Sequence, residues 1–239
     1  MTEYKIFKSY AEQIEDSNKF RGLPLYRFFR EQWEAECLLN GKVWISTLQK
    51  CREFECPQQG DPYEGSITYQ QGLLIIENRV VTEDDYLTAL HAGIGIPSPG
   101  TFMSGKNIIA GNSRSSTIPN SYLLCTTNNP NDLQDQSSEW KYGVEINLKQ
   151  SKLFEFLTNA LIRSGIPIVS KHHAWANYDS GRIYYDYRQK PQNIAFLKPD
   201  LHRKQAEYRF FWLSLPNHNY PKHGILIDCP EIIPFLKKI

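Results

Sequence analysis

The sequence predicts one mixed α+β domain, and three observations lead there. The chain has 239 residues with 41% hydrophobic residues, enough apolar material for one large core. Strand candidates outnumber helix candidates by about two to one, and they follow one another in mixed order rather than in strict βαβ alternation. No repeat, heptad or low-complexity tract interrupts them.

The elements run as follows. After a polar stretch at Glu12–Asp16, Leu25–Phe29 is aromatic-rich, follows Gly22 and Pro24, and reads as a first strand. Glu31–Leu39 is a short helix that stops at Asn40-Gly41, and Val43–Ser46 is the next strand, giving a compact strand–helix–strand unit. Leu48–Gly65 is polar and rich in functional side chains. Ser66–Tyr69 and Leu73–Ile76 read as two arms of a hairpin around Gly72. Thr82 caps a helix that runs to about His91. Residues 93–119 are dense in Gly, Ser and Pro and are expected to be a flexible insertion, a lid or a partner surface. Tyr122–Thr127 is a buried strand, Asn128–Ser138 a polar loop, Tyr142–Ile146 a strand, and Lys152–Ser164 an amphipathic helix ended by Gly165. Further strands are expected at Pro167–Val169, Gly181–Tyr187, Ala195–Leu197, Ala206–Leu213 and Gly224–Ile227.

Composition narrows the function classes. The net charge of +1 gives no global basic field, so nucleic-acid binding would need a local patch. Five cysteines, at 37, 51, 56, 125 and 229, are odd in number and scattered, which argues against a disulfide framework, and Cys51 and Cys56 lack a matching second pair for zinc. Met1–Tyr10 has no apolar h-region and no apolar run is long enough to span a bilayer, so the expectation is a cytoplasmic protein with no membrane association. The phosphate-loop, dinucleotide-fold, nucleophile-elbow and His-Glu-x-x-His patterns are all missing.

Two charged clusters stand out. Arg52-Glu53 followed by Asp61-Pro62-Tyr63-Glu64-Gly65 concentrates charge without periodicity. It reads either as a solvated loop or as a set in which Arg52, Asp61 and Glu64 pair and line a pocket. In Glu207-Tyr208-Arg209 the strand alternation puts Glu207 and Arg209 on one face, either as an ion pair on a half-exposed face or as a carboxylate kept ionised at a cleft. His172-His173 reads as a turn or surface feature after a strand, and no metal is expected.

Taken in order, Tyr26-Arg27, Ser46-Thr47-Leu48, Arg52-Glu53, Asp61-Pro62-Tyr63-Glu64-Gly65 and Glu207-Tyr208-Arg209 resemble a family of bacterial proteins that looks like a distant branch of the ADP-ribosyltransferase fold. Its best-described relatives are phage-defence toxins of toxin–antitoxin systems, some of which modify nucleic acid. The resemblance implies an ADP-ribosyltransferase-like mixed sheet core with flanking helices, with NAD as substrate. It further implies a nucleic-acid acceptor, RNA favoured, and a possible antitoxin partner. It points to Glu207, Arg27 and Ser46 for catalysis and to Tyr26, Arg27, Ser46 and Thr47 for cofactor binding; the charged clusters add Arg52 to the cofactor set and Asp61, Glu64 and Arg209 as substrate-binding residues. The sequence departs from the family where a second carboxylate would follow Glu207, since that position is Arg209. This disfavours an arginine side chain as acceptor. The chemistry is coherent: cleaving the nicotinamide–ribose bond builds positive charge on the sugar, and a carboxylate in a water-poor cleft stabilises it.

Two other classes compete. Asp135 with Glu139-Trp140-Lys141 resembles the acid–lysine set of a metal-dependent nuclease, and residues 93–119 suit a non-enzymatic partner-binding module.

Overall fold

Alternating side chains in Glu207–Ser214 decide where the two halves of the core lie. Tyr208, Phe210 and Trp212 point to one face and Glu207, Arg209 and Phe211 to the other, and every one of these residues is buried. A strand buried on both faces belongs inside a sheet covered on both sides. The computed structural model describes residues 24–53, 63–70, 74–109, 113–129, 140–179, 183–185 and 193–239, and bears out the mixed α+β class, mostly sheet with few helices.

The principal sheet takes its strands from both ends of the chain. They are β1 (Leu25–Phe29), β2 (Lys42–Thr47), β7 (Tyr122–Thr127), β8 (Tyr142–Ile146), β9 (Ile168–Trp175), β13 (Glu207–Ser214), β14 (Ile225–Asp228) and β15 (Leu236–Lys238). Strand β7 is its spine. One edge is taken along its whole length by β13, from Glu207 opposite Thr127 to Trp212 opposite Tyr122. The other edge is shared: β2 joins at Ser46 opposite Leu123, and β1 joins at Tyr26 opposite Thr127. Strands β14, β8, β9 and β15 extend the sheet outward from β2, β1, β13 and β8 respectively.

Two helices and a helical turn cover this frame, and a third helix ends at Ala92 in the cluster of Ile67 and Tyr69. The strand–helix–strand unit forms as expected, with α1 (Gln32–Leu39) between β1 and β2 and burying Ala35 and Leu38. The longest helix, α4 (Gln150–Arg163), places Leu153, Phe154, Leu157, Ala160 and Leu161 on one stripe against Tyr208, Phe210 and Trp212. The Trp212 indole donates to Thr158 Oγ1 at 2.9 Å, so the large ring is buried with its polar atom satisfied. On the opposite face a smaller cluster, Leu48, Leu123, Ala195, Phe196 and Phe211, leaves room for polar groups. The turn is α2 (Leu48–Glu53), inside a segment the sequence reads only as polar, and α3 (Glu83–His91) starts at Thr82, whose hydroxyl accepts the Asp85 N–H at 3.1 Å.

The peripheral strands depart from expectation. β3 (Ser66–Gln70) and β4 (Leu74–Val80) do not form a hairpin with each other. β3 pairs with β6 (Ser113–Thr117) and β11 (Ile183–Tyr184), and β4 pairs with β5 (Phe102–Ile109). The reason is long-range burial: Ile67 and Tyr69 pack with Ala92, Tyr184 and Leu197, all remote in sequence. The segment 93–119, expected as a flexible insertion, thus supplies two strands. His172, His173 and Trp175 lie inside β9 rather than after a strand, because β9 continues beside β13. At Ala195–Leu197 a 3-10 turn (Ile194–Phe196) precedes β12 (Leu197–Pro199), which pairs in parallel with β10 (Asn177–Asp179). The polar stretch Glu12–Asp16 lies outside the described residues, as does the loop tip around Gly72.

Candidate active site

Because β1 and β2 share one edge of β7, a notch opens where they part. Paired residues in a sheet project to the same side, so Tyr26, Thr127 and Glu207 form one row across β1, β7 and β13. The next row inward holds Cys125 and Arg209, and the one after holds Ser46, Leu123 and Phe211. The Tyr26 and Ser46 rows are four residues apart along β7, roughly 13 Å at a strand's rise. A cleft of about 520 Å³ lies over these rows, within the usual range for small-molecule sites. Tyr26, Arg27, Ser46, Glu64, Glu207 and Arg209 all line it. Arg27 reaches across the notch, donating from Nη2 to the Trp44 carbonyl at 2.9 Å.

The cleft floor is a chain of buried charges. Glu207 accepts from Arg209 Nε on one oxygen and from Lys198 Nζ on the other. Lys198 also donates to Gln205 Oε1 at 2.6 Å. Arg209 Nη1 donates to Glu64 Oε1 and to the Ala195 carbonyl, both at 2.6 Å. Two acids and two bases balance, and all four are almost wholly buried. Burial opposes ionisation of Glu207, but Arg209 and Lys198 outweigh it and, with a hydrogen bond from Cys125, hold the carboxyl well below its usual range. Burial would lower Arg209, yet Glu207 and Glu64 hold it well above its ordinary value.

Two thiols share the floor. Cys51 Sγ lies 4.0 Å from Ser46 Oγ, and burial, with Glu64 nearby, pushes its thiol up to about 12. Burial and the Glu207 charge push Cys125 well above its usual value. Both are therefore protonated at neutral pH and poor nucleophiles.

Several expectations need correction. The Glu207–Arg209 face is buried rather than half-exposed, because Lys198 and Glu64 close over it. Thr47 is buried on the opposite face of β2, where its hydroxyl accepts the Lys50 N–H at 3.2 Å. Arg52 braces backbone, donating to the Glu64 carbonyl at 2.7 Å and the Ile118 carbonyl at 3.2 Å. Neither Thr47 nor Arg52 lines the cleft. Glu64 does line it, but its carboxylate pairs with Arg209 and not with Arg52. Asp61 lies outside the described residues, as do Asp135 and Glu139 of the nuclease reading.

The sequence gives no role to Lys198, Gln205 or Cys125, while Trp140 reads there as a ring that could stack on a flat ligand. Lys198 had a signal, a lone lysine directly after the apolar run Ala195–Leu197. Trp140 lines the cleft with Arg30 stacked 5.2 Å from its ring, and its buried indole N–H has no partner among the described residues. Among those residues no cluster of metal-ligating side chains occurs, and no helix is long and apolar enough to cross a membrane.

Compared with models of known families, with curated proteins and with solved structures, the chain matches none.

Proposed function

We propose that the cleft binds NAD and that the protein is an NAD-dependent ADP-ribosyltransferase with an ADP-ribosyltransferase-like core, its acceptor a nucleic acid. One observation carries the reading: Tyr26, Arg27 and Ser46, from the strand–helix–strand unit, and Glu207, from a strand near the other end of the sequence, line one cleft. A donor set suited to such a ligand is also present. Arg27 and Arg30 offer planar donors to a pyrophosphate, and the Trp140 ring lies beside them in the lining.

Bound there, NAD would supply a glycosidic C–N bond whose electron pair leaves with nicotinamide. Glu207 stays anionic and faces the sugar, stabilising the positive charge that develops as the bond breaks. Its bonds to Arg209, Lys198 and Cys125 do not exhaust it, since an ionised carboxylate has about four lone-pair sites. Arg209 and Lys198 fix its orientation in advance. Ser46 and Tyr26, at opposite ends of the cleft floor, hold the amide end and a ring by hydrogen bonding and stacking. The acceptor's lone pair then forms the new bond to the sugar carbon, and its proton passes to water.

The test is incubation with NAD labelled in the ADP-ribose and separate RNA, DNA and protein pools. Nicotinamide release with label transfer to nucleic acid is expected, and Glu207→Gln should slow it roughly a hundred- to thousandfold. Absence of release with every pool would overturn the proposal, as would full release by a folded Glu207→Gln.

A further inference from the structure

The rim of the same cleft differs from its floor. The four buried charges of the floor cancel, and the remaining charged lining among the described residues is Arg27, Arg30, Lys42, Lys50 and Glu34. In a chain of net charge +1 this is a local cationic patch. The rim is also aromatic. Of the chain's five tryptophans, three line this cleft: Trp33, Trp44 and Trp140. Trp33 is 62% exposed and Trp44 43% exposed, although both sit on regular elements with buried neighbours. Lys42, Trp44 and Ser46 alternate along one face of β2, so exposed cation, exposed ring and cleft-floor hydroxyl form a line leading inward.

We infer that this rim is a track for single-stranded nucleic acid, with Trp33 and Trp44 as stacking platforms and Arg30, Lys42 and Lys50 along the phosphates. The inference rests on the transferase reading only for its purpose, since it names the form in which the acceptor reaches the cleft. Bases stack on exposed indoles only when free of a duplex, and the cations follow any phosphate backbone without regard to sequence. An acidic peptide would use the cations and leave the indoles idle.

The test is binding without NAD, so it stands whether or not transfer is found. Fluorescence anisotropy would follow a labelled twelve-nucleotide single strand of RNA, the same strand of DNA, their duplexes, and a polyglutamate peptide. Expected is a preference for single strands of either sugar, weakened about tenfold or more by Trp33→Ala, largely restored by Trp33→Phe, and made less salt-dependent by Lys42→Ala. Trp33 is exposed enough that its loss should leave the melting curve unchanged. Equal binding of duplex or polyglutamate, indifference to Trp33→Ala, or no binding of any strand would overturn the inference.

Discussion

Arg209 on β13 grips the carboxylate of Glu64, 145 residues earlier in the chain, with bonds of 2.6 Å and 3.3 Å. Both side chains are almost fully buried, at 1% and 3% exposure. A buried pair of this kind stabilises little against a well-packed apolar replacement, but losing one partner strands the other. Glu64→Ala should therefore destabilise the fold by ~3–5 kcal/mol in urea unfolding. In a double-mutant cycle Arg209→Met should recover part of that loss, and strict additivity would show that the pair is not coupled.

Stability should fall on acidification in two stages. His173 is held by burial, and by its neighbour His172, at about 4, below its ordinary 6.5. Between those values the unfolded chain takes up a proton that the folded one refuses, so stability declines as pH drops. Below about 4.5, the ordinary value of a glutamate, the unfolded state protonates Glu207 while the folded state keeps it ionised, and the decline steepens. Asp85, held low first of all by its bond from Arg79, acts in the same direction. Melting temperatures across this range should show the slope, and Glu207→Gln should flatten its lower part.

Gly224 ties the loop before β14 to the cleft. It has φ +93°, and an added Cβ would stand 2.3 Å from the Ile45 carbonyl and 3.0 Å from Ser46 Cα. Gly224→Ala should lower the melting temperature by far more than a surface substitution, because both the backbone conformation and the close approach are lost. An unchanged melting curve would contradict this.

Arg27→Ala removes the bridge from β1 to the Trp44 carbonyl across the notch. If Arg27 holds the pyrophosphate, KM for NAD should rise about tenfold or more, with kcat for nicotinamide release less affected. A loss confined to kcat would place Arg27 at the chemical step instead.

What the sequence by itself determined is local. The apolar stripe of α4, the Thr82 cap of α3, the strand–helix–strand unit ahead of Ser46 and the shared face of Glu207 and Arg209 all follow from periodicity and capping, which need only near neighbours. Tertiary structure decided the rest. It chose β6 rather than β4 as partner for β3, set β1 and β2 on one edge of β7 so that a notch opens, and buried Glu207 under Lys198 and Arg209 under Glu64. Strand partners and counter-ions are selected by burial and charge balance among residues far apart in sequence. A side-chain period fixes which face a residue takes, but not what meets it there.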